Sequence, residues 1–482
     1  MIRCENCIEG RWVRPPGHEL LESRNPATGE LVCTAPMATV NDVQTAIAAA
    51  RRVFEQQLAW RDDPVLRGRI LFRYAGAIRD KIETLALLLT DENGKTLGDA
   101  RGELARGADI VEYYASLAMN IHGKAIVPSP NFLSFVFREP IGVVAAIVPF
   151  NFPVVLMLRA LAPALAAGNA VIVKPAEYTS GITYALIQLL LESRELPSGM
   201  VSLLAGGPAV GAELARNPEI DMVSFTGSTA VGKEVMRLAA DSLKKVSLEL
   251  GGKSPNIVFQ DADFPKAIRA ALRGAWLSFG SQVCYAGTRI LLEQSIHDKF
   301  VQALQEEAER MRLGYGAREG VDIGPVISRK QMDRVLEYIE IGKRDARLVT
   351  GGYRAEQGDL AKGFFVAPTV FDDVPPQSRI GKEEIFGPVL SVFTFKDLDE
   401  AAEIANSTAF GLAGAVWTRD INKALTLARR TKSGTVWINA YGKLPPQAEM
   451  EGHKQSGMGT QYGEEGLYEY TQFKHIGIEI GS

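Results

Sequence analysis

The stretch IGVVAAIVPFNFPVVLMLRALAPALAAGNAVIVKPAE, residues 141–177, decides the fold. A short run rich in Val and Ile at 143–148 is stopped by Pro149, a helix opens near Pro153, Gly168 breaks it, and a second run follows at 171–173. That is strand, helix, strand. The unit repeats: further runs lie at 201–204 and 222–225, with helices opening near Ser180, Pro208 and Ala230. Short apolar strands alternating with helices make a parallel sheet covered on both faces. Residues 140–250 therefore read as a doubly wound, Rossmann-like α/β domain.

Outward from this block, a second α/β series places strands near 256–259, 288–292, 390–395, 414–417 and 435–438. No low-complexity linker separates the halves, so they pack directly and a cleft at their boundary is the natural ligand site. Upstream, Val43, Ala46, Ile47, Ala50, Val53 and Phe54 follow helical spacing over 41–60 behind an Asn cap, and a second helix covers 65–90, ended by Asn93-Gly94. Residues 124–138 read as a β-hairpin, as does the β-rich tail at 468–480. Such peripheral strands pair with another subunit or add an edge strand.

Composition narrows the function. The 482 residues bring 53 Lys and Arg against 57 Asp and Glu, a formal charge of -4, and no basic tract, which speaks against nucleic acid. No apolar run approaches the ~18 residues needed to span a bilayer, and the first ten residues lack a signal core, so a cytoplasmic enzyme is expected. Four cysteines, at 4, 7, 33 and 284, are too few for a disulfide framework. Cys4 and Cys7 form a C-x-x-C pair with no second pair or His cluster to complete a metal site, so no metal is expected.

Phe225-Thr-Gly-Ser-Thr-Ala-Val-Gly-Lys-Glu234 matches G-x-x-x-x-G-K, but Glu234 stands where a P-loop needs Ser or Thr for Mg²⁺. What remains is strand, Gly turn, helix: Gly227 for the turn, with Ser228 and free N–H groups to meet a pyrophosphate. Val173-Lys-Pro-Ala-Glu177 ends another strand at the carboxyl edge of that sheet, where Lys174 and Glu177 can meet a dinucleotide. A carboxylate there accepts from ribose hydroxyls and repels a 2′-phosphate, so Glu177 favours NAD over NADP.

Leu248-Glu-Leu-Gly-Gly-Lys-Ser-Pro-Asn256 is followed by Ser281-Gln-Val-Cys-Tyr-Ala-Gly-Thr-Arg289, whose Cys284 stands 35 residues past Glu249. A thiolate is a strong nucleophile, and a nearby carboxylate can deprotonate the water that hydrolyses a thioester. A lone Cys is more often a small core residue; the flanking pattern argues otherwise for Cys284. Asn151, in Pro149-Phe-Asn-Phe-Pro153, offers an amide to a developing oxyanion or a cap to the next helix. Glu383-Glu-Ile-Phe-Gly-Pro388 offers Glu384 to a ribose and Phe386 to a flat ring.

Five segments in this order, P-x-N-F-P, K-P-A-E, F-T-G-S, E-L-G-G-K with Q-V-C, and E-E-I-F-G-P, resemble the aldehyde dehydrogenase superfamily. The likeness runs from Asn25-Pro-Ala-Thr-Gly29 to Glu469-Tyr-Thr471. It implies NAD-dependent oxidation of an aldehyde to its acid: Cys284 attacks, its own N–H and Asn151 hold the oxyanion, Glu249 activates water, and Lys174, Glu177, Ser228 and Glu384 hold NAD. It further implies an NAD-binding domain at 1–121 and 141–250, a catalytic domain at 251–450, and oligomerisation segments at 122–140 and 466–482 that build a homodimer or homotetramer. Glu249 counts against the CoA-acylating branch, and retention of Cys284 and Glu249 against a non-catalytic binding protein on the same fold.

Departures from the family pattern bear on substrate. Phe150 replaces a commoner Trp, Ser281 a Gly, and Glu449-Met-Glu-Gly452 a Pro-Phe-Gly-Gly. Arg159, on the helix that lines the family's substrate tunnel, replaces an aromatic residue and resembles members acting on semialdehydes, hydroxyaldehydes or benzaldehyde-like substrates. Its guanidinium either binds substrate or pairs with an acidic neighbour in the wall. Phe152 and Tyr285 complete the expected pocket.

Overall fold

The computed structural model describes residues 1–480. Val143–Ile147, Ala170–Lys174, Val201–Leu203, Met222–Thr226 and Lys245–Glu249 form a parallel core in which the first two strands are buried along their whole length. The order across this core is 245–249, 222–226, 143–147, 170–174, 201–203. The chain starts in the middle, winds one way, then returns to wind the other. The crevice where it reverses lies between Val143–Ile147 and Met222–Thr226, the place where open α/β sheets bind ligands. Antiparallel Asn6–Ile8 and Arg11–Val13 extend one edge and Gly457–Met458 the other.

A second, seven-stranded sheet runs in the order 347–350, 369–372, 389–395, 289–293, 255–258, 413–417, 435–438, parallel except for Arg347–Thr350 at one edge. Two separate cores cover its faces, one around Tyr338, Phe371 and Phe393, the other around Trp276, Phe300 and Trp417. Each strand run inferred from the sequence forms, within a residue or two at the ends. Lys245–Glu249, Arg347–Thr350 and Thr369–Asp372 are added to that reading.

The helix Pro153–Ala166 is buried on every side, as its sequence, apolar except for Arg159, requires, and Pro153 stands in its first turn where a missing N–H costs nothing. The helix placed at 41–60 starts at Val40, because Thr39 rather than Asn41 caps it, in a reciprocal box with Asp42, and stops at Gln56, where Gln57 leaves helical geometry before a short helix at Leu58–Asp62. The stretch 65–90 is two helices, Pro64–Asp80 and Ile82–Asn93; Lys81 leaves helical geometry and sends its N–H back to Ile78. Leu97–Leu117 is a further helix, capped by Thr96. Its stripe of Leu104, Ala108, Val111 and Ala115 is legible in the sequence at helical spacing.

Lys124–Ser129 and Phe132–Pro140 form the expected hairpin. The tail is not a second hairpin: Thr471–Glu479 is one strand, paired antiparallel with Phe132–Pro140 over nine positions. All four cysteines are free. Cys4 and Cys7 do not act as a pair: Cys4 packs with Cys33 and Ala35, while Cys7 points its thiol at the Val201 carbonyl.

Candidate active site

Four neighbouring strand ends deliver the residues singled out in the first half. Glu249 closes Lys245–Glu249, Gly227 and Ser228 follow Met222–Thr226, Phe150 and Asn151 follow Val143–Ile147, and Lys174 closes Ala170–Lys174. Cys284 comes from the other half, on the loop between the helix Phe264–Ala275 and the strand Arg289–Glu293. That loop is wound tightly: Phe279, Gly280 and Ser281 all have positive φ, at 49°, 56° and 62°. Ser281 thus holds a left-handed backbone that favours Gly, and its hydroxyl donates to the Ala275 carbonyl. Gln282 ties the loop down further, accepting from the Ile327 N–H at 3.0 Å.

Two cavities of about 310 Å³ each meet at Cys284, sharing Asn151 and Leu156 in their walls. One lies between the halves and is lined by Phe150, Thr226, Gly227, Ser228, Gly251, Arg334, Glu384 and Phe386. Glu384 accepts from the Gly252 N–H at 3.2 Å, and burial pushes its carboxyl up to about 7. Phe386 stands edge-on to Phe150, with ring centres 6.0 Å apart. Ser228 caps the helix Thr229–Ala240, so that helix turns its N-terminus to the cavity. A Cβ on Gly251 would collide with the Glu384 carboxylate, and one on Gly252 with the Cys284 carbonyl. Lys174 and Glu177, 4.0 Å apart, lie one strand over and do not line this cavity.

The second cavity runs from Cys284 away from the first, between Phe152, Arg159, Tyr285 and Met450 of the Glu449-Met-Glu-Gly452 segment and the residues Arg106, Asp109 and Tyr462, which carry no sequence signal. Arg159 and Glu249 are both almost fully buried, with Nη2 3.6 Å from Oε2. Arg159 also reaches Thr226 Oγ1 at 3.5 Å and lies 5.5 Å from the Tyr462 ring centre. So it both lines the cavity and pairs with an acidic neighbour, which is Glu249 itself. Neither Glu249 oxygen has a hydrogen-bond donor among the described residues, and burial raises this carboxyl to about 7 against the pull of Arg159.

Burial and, behind it, the Glu249 charge push the Cys284 thiol up to about 12, partly opposed by Arg159 and the Tyr285 N–H. Asn151 Nδ2 donates to the Gln282 carbonyl at 2.9 Å, leaving its second N–H for the cavity. Elsewhere, His297, Asp372 and Asp373 gather at one edge of the second sheet, but Arg347 already pairs with both carboxylates.

A half-buried thiol facing a carboxylate of raised pKa, with an amide donor beside it and a dinucleotide-type crevice behind it, defines a thiol oxidoreductase of the α/β class. Residues 12–476 match the model of the aldehyde dehydrogenase family. A betaine aldehyde dehydrogenase of Bacillus subtilis is 42% identical over 472 residues, covering 97% of this chain and 96% of the relative. An aldehyde dehydrogenase of Aspergillus niger is 40% identical over 480 residues, covering 98% and 95%. Among solved structures, betaine aldehyde dehydrogenase from Staphylococcus aureus in complex with NAD+ superposes with a TM-score of 0.97 at 38% identity, covering 99% of this chain and 95% of the other. The chain belongs to the aldehyde dehydrogenase family and is an NAD-dependent oxidoreductase acting on an aldehyde.

None of the helices among the described residues is long and apolar enough to cross a membrane. Arg106 and Tyr462 escaped the sequence reading because no motif surrounds them. Only the helix Leu97–Leu117 and the chain's return at 457–462 bring them to Cys284.

Proposed function

We propose that Cys284, Asn151 and Glu249 carry the oxidation, and that the aldehyde bears an anionic or hydrogen-bonding group at its far end. The placement of Arg106 and Arg159 along the cavity that reaches Cys284 carries the substrate reading. Two guanidiniums bind a carboxylate or hydroxyl and disfavour a quaternary ammonium, which needs aromatic faces without cations beside them. Phe152, Tyr285 and Tyr462 add flat walls that accept a ring.

In this reading Sγ of Cys284 gives up to solvent water the proton that burial holds on sulfur at neutral pH, and bonds the aldehyde carbon. The oxyanion is met by the free Asn151 N–H and the Cys284 N–H, which donates to no other group among the described residues. NAD, when bound in the cavity between the halves, supplies the two-electron acceptor for conversion of the thiohemiacetal to a thioester. The Gly251 cradle, the cavity volume and the helix N-terminus at Ser228 fit that cofactor. There Glu384 would accept from ribose hydroxyls and Phe386 would pack on the nicotinamide, while Lys174 and Glu177, one strand beyond the cavity lining, would meet the adenosine end. With a pKa near neutrality, Glu249 then takes a proton from water as that water attacks the thioester, freeing the acid and Cys284.

By this assignment residues 1–121 and 141–250 form the NAD-binding domain and 251–450 the catalytic domain. Ile126, Val127, Phe137, Phe473, Ile476 and Ile478, exposed on the three-stranded sheet, pack against a second copy in a homodimer or homotetramer. Four free cysteines suit the reducing cytoplasm. A panel of succinic semialdehyde, lactaldehyde, benzaldehyde and betaine aldehyde, followed as NADH with and without CoA, tests the reading. Best kcat/KM on betaine aldehyde refutes it, and a CoA requirement refutes hydrolysis.

A further inference from the structure

Behind the amide of Asn151 lies an ion pair that neither cavity touches. Lys95 and Glu103 are paired with both side chains at 0% exposure. Burying two charges costs more desolvation than their attraction returns unless the remaining hydrogen-bonding capacity is well used. Here the rest of that capacity goes to the segment that carries Asn151.

Lys95 Nζ donates to the Asn151 backbone carbonyl at 2.9 Å and sits 3.9 Å from the Phe152 ring centre. Asn93 Nδ2 reaches the same carbonyl at 3.3 Å, while its Oδ1 accepts the Lys95 N–H at 3.1 Å. Glu103 uses its other oxygen on the N–H groups of Val154, at 2.9 Å, and Val155, at 3.3 Å. These are orphan donors of the helix Pro153–Ala166, whose own cap residue, Phe152, has no side chain to offer them. Glu103 therefore caps that helix from a different helix, Leu97–Leu117. The Asn151 carbonyl is pinned on one side, the next turn is pinned on the other, and the amide is left facing the Gln282 carbonyl of the Cys284 loop at 2.9 Å.

We propose that Lys95 and Glu103 are positioning residues for the oxyanion site, holding the Asn151 amide in register with Cys284. The proposal rests on the reading of Asn151 as oxyanion donor. It explains why charge is kept where an apolar pair would pack. It also gives the turn at Asn93-Gly94-Lys95 a task beyond ending a helix.

The test uses the full-length enzyme, saturated with NAD and given the best aldehyde of the panel above, with p-nitrophenyl acetate as a second probe. That ester acylates Cys284 through an oxyanion without needing NAD. The Lys95→Met/Glu103→Leu double variant removes both charges together and so leaves no buried charge unpaired. Its burst rate on both probes is expected to fall about 10- to 100-fold, the scale of a misplaced oxyanion donor, with KM for NAD unchanged. In an Asn151→Ala background the same double change is expected to cost less than about twofold, because the group it positions is gone.

A wild-type burst in the double variant, or an equal loss in the Asn151→Ala background, overturns the proposal. An Asn151→Ala enzyme with an undiminished burst overturns instead the oxyanion reading beneath it. If the double variant does not fold, Glu103→Asp keeps the charge but shortens the reach to Val154 and Val155. It must show the same loss and the same dependence on Asn151, and additivity there refutes the idea.

Discussion

The guanidinium of Arg159 lies 3.6 Å from the carboxylate of Glu249, and both side chains are closed off from solvent beside Cys284. One residue thus connects the wall of the substrate cavity with the group assigned as base. Arg159 opposes the burial that raises Glu249 to about 7. Removing the cation leaves burial unopposed, so the carboxyl rises further and is protonated over more of the neutral range. Because Glu249 must be ionised to accept a proton, the acidic limb of the kcat–pH profile should move to higher pH in Arg159→Met. The expected shift is about 1–3 units, the usual weight of an adjacent opposite charge, and Arg159→Lys should restore most of it. A profile of Arg159→Met that overlays the wild type would disconnect the two residues.

Separating the two chemical halves of the reaction gives the second expectation. Cys284→Ala removes the thiol proposed as nucleophile and should abolish turnover. Glu249→Gln keeps the shape and should still release about one NADH per site in the first turnover. Its steady-state rate should then fall ~10²–10⁴-fold, the range for loss of a general base. Stopped-flow NADH absorbance reads both phases. A Glu249→Gln enzyme that loses burst and steady state equally would place the carboxylate in the first step rather than the second.

Why the residues proposed as catalytic are legible in sequence while the cavity is not is a matter of where each residue's partners come from. Gly227, Asn151 and Lys174 each follow or close a short strand marked in sequence by a Val/Ile run meeting Gly, Pro or a charge, while Glu249 stands out through its E-L-G-G-K segment rather than its strand. Cys284 was fixed by its immediate neighbours. Arg106 sits mid-helix between Ala105 and Gly107, and Tyr462 follows a two-residue strand. Nothing local distinguishes them; only tertiary packing brings them together. Lys95 and Glu103 were hidden for the same reason, since charged residues near a turn read as solvated until both prove buried. The single tail strand was misjudged as a hairpin because its partner, Phe132–Pro140, is more than 300 residues away in sequence.

Charge selectivity follows from Arg106. Its guanidinium lies 5.7 Å from the Phe152 ring centre at the outer part of the cavity, with Asp109 nearby. Replacing it with Gln preserves size and removes the charge. KM for succinic semialdehyde should rise about tenfold, the weight of one charged hydrogen bond, while KM for benzaldehyde changes less than about twofold. Added salt should mimic part of the change in the wild type only. Equal effects on the charged and neutral aldehydes would make Arg106 a packing residue.

Ser281 offers a test of how the nucleophile loop is held. It keeps φ at 62° and uses its buried hydroxyl to satisfy the Ala275 carbonyl. Two opposing terms result: a left-handed backbone costs a residue with a Cβ about 1–2 kcal/mol, and the buried hydrogen bond returns about 1 kcal/mol. Gly at this position relieves the first and loses the second, so Ser281→Gly should stay within about 1 kcal/mol of wild type. Ala loses the same bond and leaves the same carbonyl unsatisfied but keeps the strain, so it should lie about 1–2 kcal/mol below Gly. Denaturant midpoints should therefore fall in the order wild type close to Ser281→Gly, then Ser281→Ala clearly lower. The NADH burst should follow that order, because only Gln282 and Val283 separate this residue from Cys284. If Ala is tolerated as well as Gly, neither the backbone angle nor the hydroxyl holds the loop.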